Sequence, residues 1–405
     1  MPYDVCFLGL GYIGLPTSAL LANAGNRVLG VDINPERIRE IDSGLNAPNE
    51  PGLSELLDTC LNSGNLALST TPAPSSTFII AVPTPISQSK APELEAVFAA
   101  TESIIDLLQP GNLIVIESTC PPGTTRELMK LVSSKRPELV DEVHFAYCPE
   151  RVLPGNSLSE LSQNDRVIGG LSEEAASKAL EVYATFCTGR LDITDAETAE
   201  VVKLAENAFR DVNIAFANEL SLLSASLGIN VWDVIEYANK HPRVSILNPG
   251  VGVGGHCIAV DPWFLADASP NDTKLIQTAR AVNDHKPDWV VNQIENHISQ
   301  NDGRPVLLLG ITFKPNIDDL RSSPALEVAE KLARRNPDTV FAIWEPNLEC
   351  LPKELTLPNV TTAEMAPPIF DAQLVCKLVE HREFQNVRQE AIGTSDFLSF
   401  TSRAD

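Results

Sequence analysis

The sequence has no apolar run approaching the ~20 residues that a membrane-spanning helix needs, so an integral helical membrane protein is excluded. It also lacks a basic stretch followed by a cleavable apolar segment near its start. The chain opens straight into a strand-like run, Tyr3 to Leu8, and no secretory leader is expected. There is no CxxC pair. The eight cysteines (Cys6, Cys60, Cys120, Cys148, Cys187, Cys257, Cys350, Cys376) are scattered, and several sit in apolar strand-like runs. That pattern predicts buried free thiols in a reducing, cytoplasmic compartment, with neither a disulfide framework nor a metal site. The Asn-x-Thr triplets at Asn271 and Asn359 then carry no glycosylation meaning. Positive charge is scarce: 30 Lys and Arg stand against 54 Asp and Glu, a formal charge of −24. A basic face for nucleic acid is therefore not expected. The same charge repels an anionic substrate, so any phosphate site must be built locally from backbone amides and a few cations.

Low-complexity tracts are missing too, and what remains is ordered alternation. A chain of 405 residues fits two or three domains. In the first third, short apolar runs (Val5–Gly9, Arg27–Val31, Phe78–Val82, Leu113–Glu117, Val143–Tyr147) alternate with helical patterns such as Leu15–Ala24 and Glu95–Leu108. Strand–helix–strand alternation predicts a parallel, doubly wound α/β sheet over residues 1–190. Residues 191–300 read as a helical middle. Its first block runs from 195 to about 240 with no Gly or Pro before Gly228, and Val201, Leu204, Ala208, Val212, Ala215, Leu220 and Leu223 form a wide apolar stripe. A glycine-rich loop at 249–257 and a second helical stretch at 273–300 follow. A fresh βαβ pattern over 301–405 begins at Val306–Gly310 and continues through Val340–Trp344 and Gln373–Val379, with the last dozen residues expected to be loose.

The first strand ends in Gly9-Leu-Gly11-Tyr12-Ile13-Gly14 and passes directly into a helix. A GxGxxG pattern alone is a weak signal, but here it has the strand–turn–helix setting that a dinucleotide site requires. Gly9 permits the turn, Gly11 lets the backbone approach a pyrophosphate, and Gly14 lets helix pack on strand. The helix N-terminus adds N–H donors and positive dipole charge. A second strand ends at Asp32, 18 residues after Gly14, where a carboxylate would bind ribose hydroxyls and repel a 2′-phosphate. NAD is the expected cofactor.

The sharpest local feature is Gly250-Val-Gly252-Val-Gly254-Gly255-His256-Cys257-Ile-Ala-Val-Asp261-Pro262. The glycines are expected to expose N–H donors toward a phosphate or a sugar. Cys257 follows at once, in a polar loop where core packing does not place a cysteine.

These motifs resemble the UDP-glucose/GDP-mannose dehydrogenase family. The likeness runs from the glycine turn to Val379-Glu-His381 through Glu117-Ser-Thr119-Cys-Pro-Pro-Gly-Thr, Cys148-Pro-Glu150-Arg-Val-Leu-Pro-Gly, Glu200-Val-Val-Lys203-Leu-Ala-Glu-Asn207 and Phe313-Lys314-Pro-Asn-Ile-Asp-Asp-Leu-Arg321. It implies two Rossmann-like doubly wound domains joined by a helical central region, the last domain binding a UDP-sugar. It implies oxidation of a sugar primary alcohol to a carboxylate, with Cys257 trapping the aldehyde as a thiohemiacetal and then a thioester. Lys203 and Asn207, one helical turn apart on a single face, would stabilise the oxyanion. Glu150 would activate the hydrolytic water, and Asp261 and Thr119 would position water. Tyr12, Ile13, Arg37, Pro83, Thr84, Thr119 and Arg321 fall at cofactor positions. Arg151, Val152, Gly254, Lys314 and His381 fall at substrate positions. Arg243 would reach the sugar from a partner subunit, which implies a homodimer. His256 and Trp263 resemble the N-acetylhexosamine branch and point to UDP-N-acetyl-D-mannosamine for surface polysaccharide synthesis. UDP-N-acetylglucosamine, UDP-glucose and GDP-mannose remain open as substrates.

Overall fold

In strand β1 (Tyr3–Leu8), Val5 and Phe7 enter one apolar core while Cys6 and Leu8 enter another, because successive side chains point to opposite faces. A strand buried on both faces belongs inside a sheet covered on both sides, and the parallel pairing here fits that. The computed structural model describes residues 3–44, 50–152, 156–298, 304–363, 372–385, 387 and 396–402. The chain forms two compact units, residues 1–205 with 263–269 and residues 206–262 with 270–405.

In the first unit β1 is joined by β2 (Val28–Val31), β3 (Leu66–Ser69), β4 (Ser75–Ile80), β5 (Leu113–Ile116), β6 (His144–Tyr147), β7 (Arg166–Gly170) and β8 (Leu191–Asp195). Their order is β3-β2-β1-β4-β5-β6-β7-β8. Pairing is parallel throughout except between β6 and β7, which run antiparallel. The connections carry α1 (Gly14–Asn23), α2 (Pro35–Asp42), α3 (Leu53–Ser63), α4 (Glu95–Ile104), α5 (Thr124–Lys135), α6 (Ser157–Gln163) and α7 (Glu173–Tyr183). The strand order reverses between β1 and β4. At such a switch point the loops leaving the carboxyl ends part and open a crevice.

Helix α8 (Ala196–Leu227) is one uninterrupted helix of 32 residues. It stops where Gly228 takes a φ of +67°, and Asn230 then caps α9 (Val231–Asn239) by accepting from Trp232 N–H. The apolar stripe read from sequence divides. Leu204, Ala208 and Ala215 are buried, whereas Val201 and Leu223 are exposed. The reason lies in helix geometry: neighbours on opposite edges of a wide stripe face different surroundings.

After α10 (Asp261–Ala268) and α11 (Lys274–Ile298), the second sheet contains β9 (Val306–Leu309), β10 (Phe341–Trp344), β11 (Val360–Thr362), β12 (Leu374–Lys377) and β13 (Asp396–Ser399). Its order is β11-β10-β9-β12-β13, all parallel, with α12 (Pro324–Arg335) between β9 and β10. Strand β13 corrects the expectation of a loose C-terminal stretch. Asp396 to Ser399 pair in register with Leu374 to Lys377, a contact no local pattern announces. Asn359 of the second Asn-x-Thr triplet is buried, donating to three backbone carbonyls. No described helix is long and apolar enough to cross a membrane.

Candidate active site

At the end of β1 the three glycines have different reasons to be glycine. Gly9 sits at φ +99°, and a Cβ there would lie 2.3 Å from the Ala81 carbonyl oxygen. A Cβ on Gly14 would lie 1.9 Å from the Gly9 oxygen, so helix and strand touch through it. A Cβ on Gly11 would meet nothing within 4 Å. That open space sits beside the first turn of α1, which has no side-chain cap and no acidic residue. It is where an anion gains most from the free N–H groups and the helix dipole.

Asp32, just past β2, accepts from Leu10 N–H at 3.1 Å and from Asn34 N–H at 2.9 Å, which fixes the carboxylate beside the glycine turn. Arg37 donates from Nε to the Leu10 carbonyl at 3.2 Å. Tyr12 is held by its hydroxyl on Glu50, whose second oxygen accepts from Ser157 N–H at 2.9 Å. Ile13 is the N-cap residue of α1. Pro83 and Thr84 follow β4, where the Ser118 hydroxyl accepts from Val82 N–H at 2.8 Å and ties that loop to the one carrying Thr119. These features fit a dinucleotide: room at Gly11, an uncapped helix start, and the Asp32 carboxylate fixed beside the glycine turn.

The first unit also holds an ion pair. Lys203 of α8 donates to the Glu150 carbonyl at 2.8 Å and to Glu150 Oε1 at 3.0 Å, while Glu150 Oε2 accepts from Val152 N–H at 2.9 Å. The Lys203 side chain is 7% exposed and that of Glu150 14%. Burying an ammonium this deeply calls for a paired carboxylate and further acceptors, which Glu150 supplies from its side chain and its carbonyl. Arg151 donates to the Asp165 carbonyl at 3.2 Å. The Leu-Pro-Gly end of the motif beginning at Cys148 lies outside the described residues.

Two carboxylates to which the sequence reading gave no role support this arrangement. Glu200 accepts from Gly123 N–H at 2.6 Å, Thr125 N–H at 2.9 Å and the Thr125 hydroxyl at 2.7 Å. It thereby caps α5 from α8 and fixes the segment after Thr119. Its place three residues before Lys203, in a helix's first turns, was the one available signal. Glu117 is fully buried, accepts from the Tyr183 hydroxyl at 2.9 Å and lies 3.6 Å from Arg166. Burial pushes its carboxyl up to about 7 against the pull of Arg166.

In the second unit the glycine loop is packed at Gly252, Gly254 and Gly255 on the side where side chains would begin. A Cβ on Gly254 would lie 2.4 Å from the Ser322 carbonyl oxygen, and one on Gly255 would lie 2.7 Å from the Phe313 ring. Gly255, at φ +83°, also donates its N–H to the Arg321 carbonyl at 3.2 Å. The loop is thus glycine-rich so that its backbone can lie flat on residues 313–324. Further back, Gly250 N–H donates to Asn218 at 2.9 Å, Asn218 donates to Asn283 at 2.9 Å, and Asn283 and Arg280 both donate to Asp211. This network pins the loop to α8 and α11.

Cys257 stands at the exit of that loop. Its carbonyl accepts from Val260 and Asp261 N–H at 3.0 and 2.8 Å, the turn that starts α10. Its thiol is half-buried, whereas Cys6, Cys60, Cys120, Cys148, Cys187 and Cys376 are buried. Cys350, expected to be buried, is exposed in the turn after β10. Asp261 is buried and accepts from the Asn207 amide at 2.6 Å. Asp319 holds the Arg321 guanidinium with two forked bonds and raises its pKa, and the nearness of Cys257 raises it further. His256 is exposed, and Arg243 is exposed with no side-chain partner among the described residues.

Lys314 lies on the loop after β9, and its carbonyl accepts from the Thr312 hydroxyl at 3.0 Å. His381 is fully buried. Its Nδ1 accepts from Asn316 N–H at 2.9 Å, so its Nε2–H faces Glu345 Oε2 at 3.1 Å. The ring therefore holds the Lys314 loop in place, and its influence on a ligand would be indirect.

A dinucleotide cradle with a discriminating carboxylate, a Lys–Glu pair and an accessible cysteine together define an NAD-dependent dehydrogenase. The chain matches the models of the UDP-glucose/GDP-mannose dehydrogenase family in its NAD binding domain (residues 3–187), central domain (197–285) and UDP binding domain (307–396). It belongs to that family, and its cofactor is NAD. A UDP-N-acetyl-D-mannosamine dehydrogenase of Campylobacter jejuni is 46% identical over 96% of this chain and 98% of its own length. An NDP-N-acetyl-D-galactosaminuronic acid dehydrogenase of Ralstonia nicotianae is 44% identical over 95% of this chain and 92% of its own. The solved UDP-N-acetyl-mannosamine dehydrogenase of Staphylococcus aureus superposes with a TM-score of 0.85 at 40% identity, covering 98% of both chains.

Proposed function

We propose that this chain oxidises UDP-N-acetyl-D-mannosamine at C6 to UDP-N-acetyl-D-mannosaminuronate, for surface polysaccharide synthesis. The observation that carries the reading is Cys257: a half-buried thiol at the mouth of a packed glycine loop, in a chain whose other cysteines, Cys350 apart, are buried. Names of relatives along nearly the whole chain support the sugar.

NAD, when bound, accepts a hydride from C6 in each of the two oxidations. The first removes hydride and the hydroxyl proton and leaves an aldehyde. Cys257 adds its sulfur to the aldehyde carbon, giving a thiohemiacetal whose oxygen is stabilised by the Lys203 ammonium and the Asn207 amide. Each such donor is worth about 2.7–4 kcal/mol in comparable sites. Loss of the second hydride, with release of the thiohemiacetal's hydroxyl proton to solvent, leaves a thioester. Water, giving its proton to Glu150, cleaves the C–S bond and releases the carboxylate and the thiol. Asp261 positions Asn207 through their hydrogen bond. Thr119 works beside the loop held by Glu200. His256 shapes the sugar site, Gly254 lets the cysteine loop lie close to Ser322, and Arg151, Val152 and Lys314 line the nucleotide sugar.

We read the three parts, 1–190, 191–300 and 301–405, as cofactor, dimerisation and UDP-sugar domains, a division that the spans of the three family models support. We also read the protein as a cytoplasmic homodimer. Phe209, Phe216, Leu223 and Leu227 of α8 are 68%, 51%, 52% and 62% exposed, at helical spacings of seven, seven and four. An apolar stripe of that kind calls for cover, and a second copy with Arg243 reaching its neighbour's sugar supplies it. Mixing Arg243→Ala with Cys257→Ser subunits then restores part of the activity.

The decisive test is NADH release across UDP-N-acetylmannosamine, UDP-N-acetylglucosamine, UDP-glucose and GDP-mannose. The expected result is the highest kcat/KM on the first, with two NADH per sugar. A higher value on another sugar, or one NADH per sugar, would overturn it.

A further inference from the structure

Five cationic side chains of the described residues are buried, and four have a carboxylate. Arg166 faces Glu117 at 3.6 Å, Lys203 faces Glu150 at 3.0 Å, Arg280 faces Asp211 at 2.6 Å, and Lys377 faces Glu380 at 2.7 Å. The fifth, Lys286 of α11, is 2% exposed and has none. Among the described residues its Nζ meets only the Ser221 hydroxyl of α8 and the face of Trp289, 4.0 Å from the ring centroid. An ammonium has three N–H donors, so the hydroxyl satisfies one at most. Burial without a counter-ion pushes its pKa down to about 7.

This solitary cation lines a cavity of about 240 Å³ bounded by α8, α11, the start of α9 and β13. In a chain with 54 acidic residues, none of the residues lining it is Asp or Glu. Its walls are aromatic and apolar: Trp289 and Phe400 stand edge to face with centroids 6.2 Å apart, and Trp232 and Leu398 also line it. Ser224, Gln293 and His297 add polar groups.

We propose that this cavity binds a small organic monocarboxylate, its anionic end on Lys286 and Ser221 and its apolar body against the Trp232, Trp289, Leu398 and Phe400 side chains of the wall. One ammonium with a neighbouring hydroxyl balances one negative charge. A phosphate dianion calls for the guanidinium forks or arrays of backbone N–H groups that the lining lacks. The size agrees, since an apolar cavity of ~150 Å³ accepts benzene and this one leaves room for a ring plus a carboxylate. The proposal does not depend on which sugar the enzyme oxidises.

Benzoate, benzamide and inorganic phosphate are the probes, titrated into the full-length protein by calorimetry and by saturation-transfer NMR. Benzoate is expected to bind, with benzamide and phosphate each at least tenfold weaker. Lys286→Met is expected to lose benzoate at least tenfold. Ser224→Leu, which fills the cavity without touching the cation, is expected to exclude benzoate even if Lys286→Met fails to fold. Absence of benzoate binding at millimolar concentration, equal binding of benzamide, or undiminished binding by either folded variant would overturn the proposal.

Discussion

Two glycine motifs lie in this chain, and they do opposite things. In Gly9–Gly14 the protein fills the space at Gly9 and Gly14 and leaves it open at Gly11. In Gly250–Gly255 the protein presses on Gly252, Gly254 and Gly255, with Ser322, Pro324 and Phe313 within 3.0 Å of where side chains would begin. The first motif leaves room for a ligand, and the second leaves room for the rest of the protein. The reactive group of the second is the residue that follows the glycines, Cys257. A missing side chain therefore marks close approach without saying of what.

The sharpest separation of the two motifs is chemical. Cys257→Ser should reduce steady-state turnover by about a thousandfold or more while leaving NADH affinity unchanged, since only the second loop carries the nucleophile. Fluorescence titration of NADH beside the turnover assay checks both halves. Lys203→Met, which removes an oxyanion donor while keeping much of the packing, should cost about 10²–10³ in kcat. A loss confined to KM would show that Lys203 serves binding alone.

Substitution at the glycines tests the comparison itself. Gly254→Ala should lower unfolding stability by about 1–3 kcal/mol, as overpacking does elsewhere, with activity falling as the Cys257 loop shifts. Gly11→Ala should leave stability within about 0.5 kcal/mol and weaken NADH about tenfold. Urea titrations and NADH binding separate the two, and an equal stability loss at both positions would erase the distinction. The smallest effect belongs to Asp32→Ala, which should narrow the preference for NAD over NADP by about tenfold through loss of the ribose-facing carboxylate. An unchanged ratio would place the ribose elsewhere.

Local pattern made much of the fold legible. Continuous apolar runs announced β1, β2, β4, β5, β6, β9, β10 and β12, and the absence of Gly or Pro before Gly228 announced α8. Strands β3, β7, β8, β11 and β13 were not announced, and two that lie at sheet edges are polar: β8 reads Leu-Asp-Ile-Thr-Asp and β11 reads Val-Thr-Thr. Such edges are set by the strand they join. Asp32 and Cys257 were legible from their local settings, the end of the second strand and a polar glycine loop, whereas Lys203, Asn207 and Glu150 were legible only through the family resemblance, since alone each reads as a solvated surface group. Glu200 capping α5, and the Asn218–Asn283–Asp211 chain behind the glycine loop, were not. Those bonds join residues 65 to 77 positions apart, and nothing in either partner's neighbourhood names the other.

The thioester is the centre of the mechanism, and Glu150→Gln exposes it. Gln keeps an acceptor for Lys203 but cannot take a proton from water. With this variant in excess over UDP-N-acetyl-D-mannosamine and NAD present, intact-mass measurement should show an acyl adduct on Cys257 after a burst of two NADH per sugar, with little free uronate. A burst with no adduct at any time, and normal release of uronate, would contradict the mechanism.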